Sequence, residues 1–250
     1  MQANNSMNPP ARFPDALQIV ELFDAVSAGR TSVLQRLLYI APKAFHGVRD
    51  PRSGRTVLQT ALTTANTAVL DLLLRKQFPV TGTNAEGLNL FHMATNASIA
   101  SLITQHANIE SQCLLRDQDA AGNLPLHTAA AEVRDDCVSF YLNAMPDAAT
   151  ALTRRNRAGE TPMHLIALNM PQLLPHALMH HADPRLRNAA GETPRDLCAN
   201  PKIAKLLRVY EVRAQDAEAA ARERLLDARA IASAATAAAR AKAFVGSSSA

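Results

Sequence analysis

The chain has no tryptophan and only 4% aromatic residues, which excludes a core built on large rings. Its three cysteines, Cys113, Cys137 and Cys198, are an odd number with no CxxC pair. That argues against a disulfide framework and for a reducing, cytoplasmic compartment. No run of about 18 apolar residues occurs, so no membrane-spanning helix is expected. The first residues, MQANNSMNPP, lack the basic and apolar regions of a cleaved secretory signal. GxGxxG, P-loop, HExxH and GxSxG motifs are all missing, and nothing supplies the base, orienter and oxyanion donors that a nucleophile requires. The sequence therefore predicts a non-enzyme, with no catalytic residue, cofactor or metal.

The formal charge of +4 is unevenly placed. Residues 202–250 hold nine basic and five acidic side chains, the whole of the excess, while the two signs balance before them. Binding of single-stranded nucleic acid would need aromatics among the cations for base stacking. Tyr210 and Phe244 are the only aromatics in the tail, and acidic residues interrupt the basic ones. Nucleic acid is not the expected partner.

What the chain does have is recurrence. Gly159-Glu-Thr-Pro-Met-His164 is matched by Gly122-Asn-Leu-Pro-Leu-His127, Gly87-Leu-Asn-Leu-Phe-His92, Gly54-Arg-Thr-Val-Leu58 and Gly191-Glu-Thr-Pro194. The glycines stand 33, 35, 37 and 32 residues apart. Each can take the positive φ of a tight turn. The Thr caps a helix, and Pro occupies its first position without losing a hydrogen bond. Apolar runs at helical spacing follow, as in Leu58, Leu72 and Leu73. A period of this length carrying Gly-x-Thr-Pro-Leu-His text resembles the ankyrin repeat. The phrase from His181 to Gly191 is likewise similar to the loop between ankyrin units.

The resemblance covers about residues 18–208 and implies an all-α solenoid of antiparallel helix pairs with short hairpin loops. About six units are expected, including atypical terminal ones. Residues 1–14 are expected to be a flexible polar segment and 15–208 the repeat domain. Asp15 is expected to cap a first helix with apolar positions Leu17, Val20, Leu22 and Phe23. The third unit is the irregular one, with a shortened helix junction and a long loop from Ala107 to Asp119 that carries Cys113. After Pro201, Ala, Arg, Glu and Leu dominate without Pro or Gly up to Phe244. Ile203 to Leu207 reads as the second helix of the last unit, 209–244 as a long projecting helix with at most a weak coiled-coil seam, and 245–250 as a disordered end.

The resemblance implies that His92, His127 and His164 bond back to the helix start and tie adjacent hairpins together. Shared metal ligation is excluded, because packed helices lie roughly 8–10 Å apart while a metal–nitrogen bond is about 2.1 Å. It also implies partner binding through hairpin tips and the inner faces of the first helices. Carried over by position, the candidates are Arg52, Arg55, Thr63, Glu86, Leu88, Asn96, Asn123, Glu132, Arg157, Glu160, Asn169 and Glu192. The expected function is a protein-interaction scaffold. Two alternatives follow from other parts of the chain. One is a structural or oligomerising role through the C-terminal helix. The other is a bacterial effector, exported into a host cell without a cleaved signal, since the acid-free, Asn/Ser/Gln-containing start resembles such proteins.

Overall fold

A computed structural model describes residues 14–39 and 41–247, with the side chains of 108–112 and 230–247 left aside. The expected flexible start and the export reading that rests on it therefore lie outside the described residues, as do residues 248–250. Thirteen α-helices form in the described part, with no named strand among these residues. They pair into six units. The first pair is α1 (Ala16–Ser27) with α2 (Thr31–Leu37), and the second is α3 (Val57–Thr63) with α4 (Thr67–Arg75). Next come α5 (Leu90–Met93) with α6 (Ala97–Leu114), then α7 (Pro125–Ala131) with α8 (Asp135–Ala144). A short extra helix, α9 (Ala148–Thr153), precedes α10 (Pro162–Asn169) and α11 (Leu174–Met179). The last pair is α12 (Pro194–Leu197) with α13 (Pro201–Ser247).

The first helices stack in the order α1, α3, α5, α7, α10, α12, and α2, α4, α6 and α8 follow as a second row. No pair can bury its apolar face alone, so the core runs continuously between neighbours. It extends from Leu22 and Phe23 through Leu58, Phe91, Leu126 and Ile166 to Leu207. The helix starts follow the capping rules. Asp15 accepts from the Gln18 N–H at 2.7 Å while the Gln18 side chain accepts from the Asp15 N–H at 3.1 Å. Of the apolar positions expected on this helix, Leu22 and Phe23 are buried, whereas Leu17 is 81% exposed and Val20 36%. They lie on the side of α1 opposite Leu22, Val26 and the rest of the stack.

The third unit departs from expectation. The stretch read as a loop from Ala107 is helical to Leu114, so Cys113 is an exposed helix residue. No Gly or Pro interrupts Ala97 to Leu115, and Ala107, Leu114 and Leu115 are buried. The long α6 accompanies an α5 of a single turn. That turn leaves backbone carbonyls without helical partners, and buried acceptors must find donors elsewhere. The fourth unit supplies them. Tyr141 donates to the Phe91 carbonyl at 2.6 Å, and Arg134 donates to those of His92 and Ala94 at 2.9 and 2.7 Å. The Phe91 and Tyr141 rings also meet edge to face, with centroids 6.0 Å apart.

At the C-terminus one helix runs unbroken from Pro201 to Ser247, through the boundaries expected near 208 and 244. Leu207 is fully buried, Ile203, Leu206 and Tyr210 pack against the core, and Glu218 accepts from Arg185 at 2.7 Å. Docking on the last unit thus reaches Glu218, past the expected end of the repeats. Every residue from Gln215 to Arg229 is solvent-exposed.

Between α7 and α8 the chain turns at Val133 with φ of 58°, and it does so at Gly29 between α1 and α2 with φ of 68°. A left-handed conformation costs an L-residue roughly 1–2 kcal/mol, and a β-branched one is a true outlier there. Val133 is 55% exposed, so little packing offsets the strain. Val133→Gly should stabilise the protein by about 1 kcal/mol, read as a higher midpoint in urea unfolding. An unchanged or lower midpoint would show that the turn is not strained.

Candidate functional site

The hairpins between units are built by four-residue turns closed on an Asn or Asp. Asn84 Oδ1 accepts from the Glu86 and Leu88 N–H groups at 3.0 and 2.9 Å. Asp119 Oδ1 does the same for Ala121 and Asn123, both at 2.8 Å. Asn156 and Asn188 repeat the bond to Glu160 and Glu192, each at 2.9 Å. The glycine at each tip meets two demands, seen at Gly159. Its φ is 74°, and a Cβ there would come within 2.8 Å of the Ala189 nitrogen on the next hairpin. Successive tips also bond directly: Ala120 N–H donates to the Glu86 carbonyl at 2.9 Å, and Arg157 N–H to that of Ala121 at 3.0 Å.

Below the tips runs a row of imidazoles. His92 Nδ1 accepts from the Asn89 N–H at 3.2 Å while its Nε2 lies 2.9 Å from the Asn123 carbonyl. His127 links the Leu124 N–H, at 3.0 Å, to the Glu160 carbonyl, at 3.1 Å. His164 links Thr161, at 3.1 Å, to the Glu192 carbonyl, at 3.0 Å. A backbone N–H only donates and a carbonyl only accepts, so His127 and His164 carry the proton on Nε2 and are neutral. At His92 the Nε2 proton is fixed in the same way, Nδ1 also lies 2.8 Å from Asn89 Oδ1, and burial is what favours the neutral ring. Where the second unit has Gln59, the amide does the same work: its Oε1 accepts from the Thr56 N–H at 2.9 Å and its Nε2 donates to Gly82 and Leu88. In the last unit Asp196 accepts from the Thr193 N–H at 2.9 Å and, like a cap facing solvent, reaches no further hairpin. Gln118 and Arg49 add a second row of straps, each donating to its own hairpin's glycine carbonyl and to the next hairpin.

These contacts sort the candidate residues. Several have their polar atoms committed inside the scaffold. Asn96 caps α6 by accepting from the Ile99 N–H at 2.9 Å. Asn123 accepts from the Asn156 amide at 3.0 Å, and that amide also reaches Glu160 at 3.1 Å. Glu192 accepts from Asn188 at 2.9 Å, and Asn169 donates to the Ala130 carbonyl at 3.1 Å. Glu132 is ion-paired with Arg134, the residue that completes the third unit. Thr63 donates to the Thr60 carbonyl at the far end of α3. Arg52 lies 3.9 Å from Asp24 on α1, and Arg55 stands half-buried beside it, away from the later tips.

The structure does bring four candidates together. Glu86, Leu88, Asn123 and Arg157 line one shallow trough of about 720 Å³ across the hairpins that open the third, fourth and fifth units. Its floor is made of small residues, Ala85, Ala120, Ala121 and Ala158. Glu86 and Arg157 are exposed and have no ion-pair partner among the described residues. The trough therefore offers small apolar residues with one unpaired carboxylate, Glu86, and one unpaired guanidinium, Arg157, while the Asp119 carboxylate is taken up by its own turn. Sequence reading missed Asp119 and Asn156, which also line it, and the supporting Arg134 and Tyr141. The recurrence of Asn or Asp three residues before each later glycine was the available signal for the first two. Among the described residues no group of three or more His, Cys, Asp or Glu side chains could hold a metal ion. No helix there is long and apolar enough to cross a membrane.

Burial depresses the basicity of the imidazole row, because a charged ring would be desolvated and its Nδ1–H would face a backbone N–H. His92 and His164 are lowered for this reason, and His127 falls to about 4. In the unfolded chain these rings protonate near 6.5, so between that pH and about 4 the unfolded state binds more protons and stability falls with falling pH. His127 alone accounts for a loss of about 3 kcal/mol across that window. Urea midpoints measured from pH 7.5 to 4.5 should decline steeply below pH 6.5, and His127→Gln should flatten the decline. A pH-independent midpoint would contradict the arrangement.

No protein-family model and no curated protein sequence matches the chain. Solved structures do. The ankyrin-repeat protein EF0377 is 18% identical over 77% of this chain and 96% of its own, with a TM-score of 0.64. An ankyrin-repeat domain from Acinetobacter baumannii AYE is 20% identical over 76% of this chain and 96% of its own, also at 0.64. A chain from the complex of a predatory endopeptidase of Bdellovibrio bacteriovorus with an immunity protein is 21% identical over 75% and 96%, at 0.61. The architecture is the ankyrin-repeat fold.

Proposed function

We propose that the chain is a non-enzymatic protein-interaction scaffold that holds a partner along its hairpin tips, with the trough between Glu86 and Arg157 as the principal contact. The observation that carries this reading is the contrast among the tips. Around them, Asn123, Asn156, Glu160 and Glu192 spend their polar groups on each other and on the backbone. Glu86 and Arg157 do not, and they flank a floor of alanines. A surface braced in this way loses little conformational entropy on binding, so modest contacts go further toward affinity. The partner fitting it presents a narrow apolar ridge with a cation toward Glu86 and an anion toward Arg157. A rigid surface needs no chemistry to do this, in keeping with ankyrin folds serving in general as interaction modules.

A second reading, a structural or oligomerising role through the C-terminal helix, draws on the exposure of every residue from Gln215 to Arg229. Bulky apolar groups are sparse there, Leu225 and Leu226 being the exposed ones. Charge reversal separates the two readings. The double variant Glu86→Arg/Arg157→Glu should lose at least ten-fold in capture of its lysate partner, about 1.4 kcal/mol, with an unchanged melting curve. Truncation after Glu218 should leave capture intact. Equal capture by the charge-reversed variant would remove the trough from consideration.

A further inference from the structure

Terminal units of a stacked-repeat protein keep their outer faces polar, since nothing packs on them. Here neither end follows that rule. On α1, Leu17 and Val20 are 81% and 36% exposed, on the side turned away from α2 and α3. On α13, Val209 and Val212 are 42% and 48% exposed, opposite the side that Leu207 and Tyr210 bury. Each pair sits at helical spacing among charged residues of one sign. Glu21 and Asp24 share the α1 face with Leu17, and α1 contains no basic residue. Lys205, Arg208 and Arg213 line a shallow concavity of about 510 Å³ with the two valines. The acidic side of the last turns of contact, Glu211, is turned inward to Arg195, and Asp216 lies beyond the valines.

The two faces complement one another, and they lie at opposite ends of the stack. We propose that a second copy of this chain docks end to end, the α1 face of one copy on the α13 face of the next. The apolar pairs meet at the centre and are withdrawn from water, which drives association. The carboxylates of α1 meet the cations of α13 around them, which sets the direction. Arg36 and Arg52 stand beside Glu21 and Asp24, at 2.9 and 3.9 Å, in exposed pairs that compete only weakly. The head and tail surfaces differ, so the contact is heterologous and does not close on itself. Copies therefore add in a row, each new stack continuing the last. This arrangement is independent of the tip trough, which stays open along the side.

Sedimentation velocity of the full chain tests the proposal. The mass should climb from 26.9 kDa through successive multiples as concentration rises, and added salt should reverse the climb because the charges are exposed. A head variant, Leu17→Lys/Glu21→Lys, and a tail variant, Val209→Ser/Val212→Ser, should each stay monomeric while keeping the wild-type circular dichroism and melting curve. Mixed together, they should form a complex of two copies and nothing larger, since one intact head and one intact tail remain. A wild-type chain that is monomeric throughout would overturn the proposal. So would self-association that survives both variants, or a mixture that stays monomeric while the wild type assembles.

Discussion

The structure depends on one repeated interaction: a buried neutral side chain that accepts from the start of its own helix and donates to the carbonyl of the next hairpin. His92, His127 and His164 make it with an imidazole, and Gln59 with an amide. Without it the hairpins would be joined only at scattered points, chiefly the tip-to-tip backbone bonds and the Gln118 and Arg49 straps. A unit cannot bury its apolar face alone, so the bond that fixes one unit against the next also fixes the core. The same burial that makes the brace specific makes it intolerant of protonation. Stability and acid sensitivity thus have one source.

Local irregularity is absorbed by the neighbour and does not spread along the stack. The single-turn α5 leaves three carbonyls that α8 and the turn before it satisfy through Tyr141 and Arg134. Exposed polar groups then divide into two classes. Asn123, Asn156 and Glu192 look like surface residues and behave as internal struts, while Glu86 and Arg157 keep their charges for the solvent side of the trough.

The repeat was legible because its punctuation is chemical. Glycine at a positive φ, a capping position two residues on and the brace five residues after the glycine recur wherever the backbone needs them. The third unit was misread for the complementary reason: from Ala97 to Leu115 no residue marks an end, so composition alone could not place the helix terminus at Leu114. The short α9 was missed because six residues after Pro146 and Asp147 carry too little periodicity. Candidate contacts were legible as positions only. Whether Asn96 caps a helix or faces a groove depends on the fold of its neighbours, which spacing in one chain does not reveal.

The central claim is that the brace is a neutral Nε2–H imidazole held between an amide and a carbonyl. Long-range nitrogen–proton NMR on the ring atoms of His92, His127 and His164 reads this directly. The account predicts three rings with the proton on Nε2 and an unprotonated Nδ1, each taking up its second proton only below the ordinary histidine range. Rings that carry the proton on Nδ1, or that titrate near 6.5 like exposed histidines, would contradict it.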